Sequence, residues 1–241
     1  MELFFFCGVV FSAGFIQGMS GFGSNLILLP LLTLIFPIKT IIPLAGLFAL
    51  CINSSLIMKL RRDIRLGPVL LMLSCSLPGI PCGVLILKVV APQYLEIGLG
   101  IVLVLFTGYG LLFCFPQRET PWWWAMPAGF ISGCLGGSLG TNGPPILVYT
   151  AIQPWSKNEV KSVLALFFLL SGIGVTSAQG FNGLLTPQVF ALFRVGFFPL
   201  LAGIGLGVFA AGKMGETGYR KSVQFLVLVL GLSMLARGLS S

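Results

Sequence analysis

Gly23-Ser24-Asn25 and Gly140-Thr141-Asn142 each set a glycine, a hydroxyl and an amide side by side inside apolar sequence. Glycine allows a sharp turn and a close approach of ligand to backbone. The hydroxyl and amide supply neutral hydrogen-bond donors, and these side-chain types cap helices that restart after a break. A restarting helix points free N–H groups and a partial positive charge at whatever lies before it. The chemistry on offer is recognition of an anion rather than bond making. The chain has no histidine, and its cysteines (7, 51, 75, 82, 114 and 134) form no CxxC pair. No Ser-His, Cys-His, paired-carboxylate or metal-ligand set is recognisable. The expectation is therefore a protein that is not an enzyme and uses no cofactor or metal, its cysteines serving as small apolar residues.

The residues around the two stretches are also related. Ala13-Gly14-Phe15-Ile16-x-Gly18-x-x-Gly21 recurs as Ala128-Gly129-Phe130-Ile131-x-Gly133-x-x-Gly136, six identities at one constant offset. Proline follows both, as Pro30 and as Pro144-Pro145. Gln17 and Ser132 hold equivalent places just before the turn. The candidate binding residues are Gln17, Gly21, Gly23, Ser24 and Asn25 in the first copy, and Ser132, Gly136, Gly140, Thr141, Asn142 and Gly143 in the second. Asn53 and Arg194 complete the set. Asn53 reads equally as a helix–helix hydrogen bond, as do Ser171 and Gln179. Arg194 reads as a functional intramembrane charge or as a side chain snorkelling to the interface. Glycine-rich segments also serve close helix packing. The repeat and the shared polar triplet favour a substrate pathway.

The elements that hold these residues are membrane helices. Of 241 residues, 56% are hydrophobic and 8% charged, against about 25% charged in soluble domains. Mean hydropathy is +1.03. Apolar stretches run over 3–36, 40–58, 67–90, 94–115, 122–153, 160–180, 187–212 and 222–239, most near the ~20 residues that span a bilayer. They are continuous, without the in–out alternation of a β-barrel. The expected fold is an all-α polytopic membrane protein of two halves, 1–116 and 121–241, joined by a polar stretch. Each half holds one broken segment and then three continuous ones, and paired interrupted segments mark transporter binding sites. Met1-Glu2 lacks the basic start of a signal peptide, so the first segment is read as mature structure.

Basic residues test the path of the broken segments. A fully spanning fifth segment leaves them split almost evenly between the two faces. A re-entrant fifth segment puts Lys59, Arg61, Arg62, Arg65, Arg118, Lys157, Lys161, Lys213, Arg220 and Lys221 on one face, against Lys39, Lys88 and Arg237. Ten against three matches the positive-inside rule. The repeat extends the hairpin to the first segment. A hairpin plus three spans returns each half on the opposite side, which makes inverted repeats with both termini outside a plasma membrane, such as a bacterial inner membrane. Trp122-Trp123-Trp124 reads as an interfacial anchor and Lys59 to Arg65 as a topology and anionic-lipid signal. The net charge of +8 belongs to this topology and not to nucleic-acid binding. The partners expected are a small anion and the bilayer, with a homo-oligomer possible in principle.

GFGSNLILLPLL and GGSLGTNGPPILVYT resemble the paired glycine motifs of the TauE/SafE sulfite exporter family. Asn53 before a basic loop, Pro78-Gly79-x-Pro81-x-Gly83 and Tyr219-Arg220 extend the resemblance over nearly the whole chain. It implies a carrier of sulfite, sulfonates and related organosulfur anions. The common family motif runs Gly-x-Gly-Gly-Gly, whereas this chain carries hydroxyl and amide residues there, which bears on which anion is accepted. The six acids lie near segment ends, so no intramembrane carboxylate relay is expected. Transport would be uniport, driven by potential, or would carry protons on the substrate. The rival readings are an anion channel, whose hairpins line an open pore, and a carrier of small carboxylates.

Overall fold

The computed structural model describes residues 2–60, 65–112, 120–211 and 216–240. Arg61, Arg62, Cys114, Arg118 and Lys213 lie outside the described residues, as do the side chains of Lys59, Lys157, Tyr219, Arg220 and Lys221. Among the described residues the structure is all-α. The helices are α1 (Glu2–Ser20), α2 (Ser24–Leu32), α3 (Ile38–Leu60), α4 (Leu66–Val89) and α5 (Pro92–Leu112). A 3-10 turn (Trp122–Trp124) then leads into α6 (Ala125–Leu139), α7 (Gly143–Ile152), α8 (Lys157–Phe181), α9 (Pro187–Ala211) and α10 (Glu216–Ser240). On each side of 113–119 a broken pair precedes three long helices. Among the described residues, six helices are long and apolar enough to cross a bilayer: α1, α3, α4, α5, α8 and α9.

The breaks are made by glycines in left-handed conformation. Gly21 has φ +86° and Gly23 φ +100°, and no non-glycine residue has positive φ among the described residues. Gly140, at φ +66°, ends α6. After each break the chain folds back. The Phe36 ring, between α2 and α3, lies 6.0 Å from that of Phe6 near the start of α1. In the second copy Gln153, just past α7, hydrogen-bonds Thr120, just ahead of the 3-10 turn. Both broken pairs are therefore hairpins, although α1 alone is long enough to span.

Glycine registers fix the helix directions. A Cβ on Gly14 would meet the backbone at Leu200 and Ile204, and one on Gly18 the backbone at Ile204 and Val208, so α1 and α9 run parallel. Gly129, Gly133 and Gly137 meet Met72, Ser76 and Ile80 in turn, so α6 and α4 are also parallel. These two pairings are the most extensive in the molecule. In contrast, Gly46 faces Thr176 and Gln179 while Gly172 faces Leu50, so α3 and α8 are antiparallel. Gly100 faces Leu235 while Gly238 faces Ile97, which makes α5 and α10 antiparallel. Small residues at these crossings let backbones touch, the usual basis of helix association in lipid.

The largest buried cluster draws mainly on α1, α2, α3, α5, α9 and α10, with Leu87, Leu139 and Ala165 joining it from α4, α6 and α8, and a second joins α4, α6, α7 and α8. One end of the molecule carries Arg65, ion-paired to Glu159 at 2.6 Å and stacked over Trp155. At the other end Lys39 donates to the Lys88 carbonyl at 3.0 Å. There Arg237 reaches Thr33, at 3.5 Å to the carbonyl and 3.4 Å to the hydroxyl.

Candidate functional site

At the first tip, Gln17 is the organiser. It is buried, and its Oε1 accepts from the Ser24 N–H at 3.3 Å and from the Ser24 hydroxyl. Its Nε2 donates to Asn53 Oδ1 at 3.2 Å, and Asn53 Nδ2 donates in turn to the Ala49 carbonyl at 2.8 Å. Gln17 thus pins the start of α2 to α1 and both to α3. Asn25 reaches the other hairpin: its Nδ2 donates to the Gly140 carbonyl at 2.7 Å. At the second tip, the buried Ser132 hydroxyl donates to the Asn142 carbonyl at 2.5 Å. Asn142 Nδ2 donates to the Ser171 hydroxyl on α8 at 3.0 Å. Asn53 therefore makes the helix–helix bond open to it and also lines the site, whereas Ser171 bonds the turn ahead of α7.

The expected helix caps are not made. The residue preceding α2 is Gly23 and that preceding α7 is Asn142, neither with a side-chain cap bond. Ser24 lies one residue too late, within the first turn, where Gln17 holds it. Asn25 and Asn142 are drawn instead to Gly140 and Ser171.

Between the tips is a cavity of about 60 Å³. A water needs about 10–15 Å³ of such space, so the cavity suits a four- or five-atom oxyanion. Gln17, Gly23, Ser24, Asn25, Asn53, Gly136, Gly140, Thr141, Asn142 and Gly143 all line it. Three sequence candidates do not. Gly21 packs against the Lys161 stem, whose Nζ lies 3.5 Å from the Met19 carbonyl. Ser132 acts from behind, through Asn142. Arg194 is exposed on α9, off the face on which Gly196, Leu200, Gly203 and Gly207 point inward.

Other walls were not foreseen. Phe22 and Phe168 supply aromatic surface, and Gly46 and Ala49 on α3 with Gly172 on α8 leave the space open. Gln179 completes the α8 wall. Small residues three or four apart on two long helices were the signal available.

Among the described residues, no charged side chain lines the cavity. Its polarity comes from neutral dipoles and helix starts, and the two starts differ. Around the α2 start, Leu26 N–H bonds Gly23 and Ser24 N–H bonds Gln17. At α7, Pro144 and Pro145 have no N–H at all, which leaves Gly143 as the backbone donor of the first three helical residues. An anion here would be held by a few hydrogen bonds, its charge uncompensated by any counter-cation.

The family model for sulfite exporter TauE/SafE matches residues 5–234. The chain belongs to this family. No curated protein and no solved structure matches it. The match includes both hairpins and every helix that walls the cavity. With the apolar spans, membership makes this a multi-pass membrane transporter.

Proposed function

We propose that the protein carries small oxidised-sulfur anions, sulfite or sulfonates, out across a plasma membrane by alternating access between two inverted halves. The observation that carries this reading is a neutral cavity lined by two opposed hairpin tips and sized for an oxyanion. Helix starts and amide donors suit a negative ligand, and the family description names sulfite. The antiparallel α3–α8 and α5–α10 pairs are what inversion of the halves produces. By the positive-inside rule, the Arg65–Lys161 end faces the cytoplasm, which leaves both termini outside. The chain binds, orients and releases its substrate and makes no covalent change to it.

A neutral site gives transport a direction. The moving complex carries the anion's own charge, and an inside-negative potential favours its exit by about 2.3 kcal/mol per charge per 100 mV. The test is sulfite flux into and out of proteoliposomes under an imposed potential. The expected result is saturable flux that rises when the cytoplasmic side is negative and falls when Asn25 and Asn142 are replaced by leucine. Non-saturating currents would indicate a channel, and a preference for acetate over sulfite a carboxylate carrier. Flux indifferent to both leucine substitutions would sink the site.

A further inference from the structure

Gln179 lies in the wall of the cavity near the end of α8, fully buried. Neither atom of its amide has a hydrogen-bond partner, and the hydroxyl of Thr176, one turn earlier on α8, is likewise buried and unpaired. The two side chains converge on one point. A Cβ on Gly46 of α3 would sit 3.3 Å from Thr176 Oγ1 and 3.6 Å from Gln179 Oε1. Glycine at 46 therefore sets no side chain opposite these polar atoms that could bond them. Orphaned polar groups inside a membrane protein are costly. The other amides of the cavity wall have protein partners: Gln17, Asn25, Asn53 and Asn142 each bond a side chain or the backbone.

An amide is both donor and acceptor, and so is a hydroxyl. Exchanging the amide nitrogen and oxygen changes neither fact. At the tips, by contrast, the groups suited to a ligand are donors. From this difference we infer that Gln179, backed by Thr176, selects among small oxyanions for one bearing a hydrogen-bond donor of its own, an N–H or O–H beside the negative oxygens. The tips take the oxygens and the Gln179 carbonyl takes the donor. This rests on the anion-carrier reading and adds its specificity. A site built to meet a donor rejects an isostere without one, because its acceptor is then left unpaired.

Sulfamate and methanesulfonate test this, since they share charge and shape and differ in an amino against a methyl group. Binding of each to the purified full chain is measured by calorimetry. Wild type is expected to favour sulfamate by about tenfold or more. Gln179→Met, close in volume and lacking the amide, is expected to bring the ratio near one without abolishing methanesulfonate binding. Equal affinity of wild type for the two anions overturns the inference and leaves the carrier reading standing. A preference that persists in Gln179→Met also overturns it, and shows that the selectivity arises elsewhere. Saturable binding of neither anion overturns both. The wild-type comparison decides the matter even where the variant does not fold.

Discussion

Gly133→Ala tests the scaffold that holds the second hairpin. The added Cβ would lie 2.4 Å from the Ser76 carbonyl oxygen, where ordinary contact begins at 3.4 Å. Both atoms belong to helix backbones, so no side chain can swing away, and α4 and α6 must part by about 1 Å locally. Gly129 and Gly137 make equally close contacts one turn to either side, at 2.3 and 2.6 Å. A gap of 0.5–1 Å forfeits roughly a quarter to a half of each dispersion contact, and overpacking of this kind costs about 1–3 kcal/mol. Alanine recovers about 1 kcal/mol at most through helix propensity. The matched control is Gly205→Ala on α9, whose Cβ meets nothing within 4 Å. It should be neutral or stabilising by up to about 1 kcal/mol. Unfolding titrations in mixed micelles would separate the two variants, and sulfite flux should fall in Gly133→Ala as the Gly140 tip is displaced. Equal stability of the two variants would refute the close parallel packing of α4 on α6.

Three further outcomes follow from the same contacts. Asn25→Leu removes an amide from the cavity wall and the part-buried bond to the Gly140 carbonyl; the net worth of one such bond, about 0.5–1.5 kcal/mol, predicts sulfite affinity about 2- to 12-fold weaker. Unchanged affinity in calorimetry would show that the tie between tips is dispensable. Glu159 is held below the ordinary glutamate pKa by the Ser156 backbone N–H and then by Arg65 and the Ser156 hydroxyl, in a capping box at the start of α8. A carboxylate lowered by folding stabilises above its unfolded pKa and loses that contribution as pH falls through the folded value. The thermal midpoint of Glu159→Gln should therefore lie below wild type at neutral pH and meet it in acid; a constant gap across that range would argue against the carboxylate's role. Finally, in a cysteine-free background, a cysteine at Lys88 should react with an impermeant maleimide added outside intact cells, and one at Arg65 only after lysis. The reverse pattern would overturn the orientation.

The spans were legible because lipid imposes a length and an apolar composition that few residues violate. The sixth apolar stretch, read as 160–180, is helix Lys157–Phe181. The breaks were legible because glycine is the residue that adopts positive φ without strain, and Gly21, Gly23 and Gly140 do so. What escaped is whatever depends on contact between distant segments. Ser24 and Asn25 looked like helix caps because capping is a local rule, yet Gln17 and Gly140 outcompete it. Gln179 looked like one more helix–helix hydrogen bond. Only the antiparallel register of α3 on α8 reveals that the residue opposite it is Gly46, which has nothing to offer. No periodicity in either helix encodes that register.

The repeat also concealed a difference between its copies. Read as sequence, Gly-Ser-Asn and Gly-Thr-Asn suggest two equal donor sites. In the structure the first tip is organised by Gln17, an amide with both a donor and an acceptor in use, and its partner Asn53 sits on α3. The second has only the Ser132 hydroxyl in that position, and its helix starts on two prolines without N–H groups. The two tips therefore present unlike surfaces, and the unpaired amide of Gln179 stands on the α8 wall. A ligand held between unlike surfaces has a preferred orientation, which a symmetric pair of tips could not give it. The departure from symmetry, more than the symmetry itself, is where this chain's choice of anion should be sought.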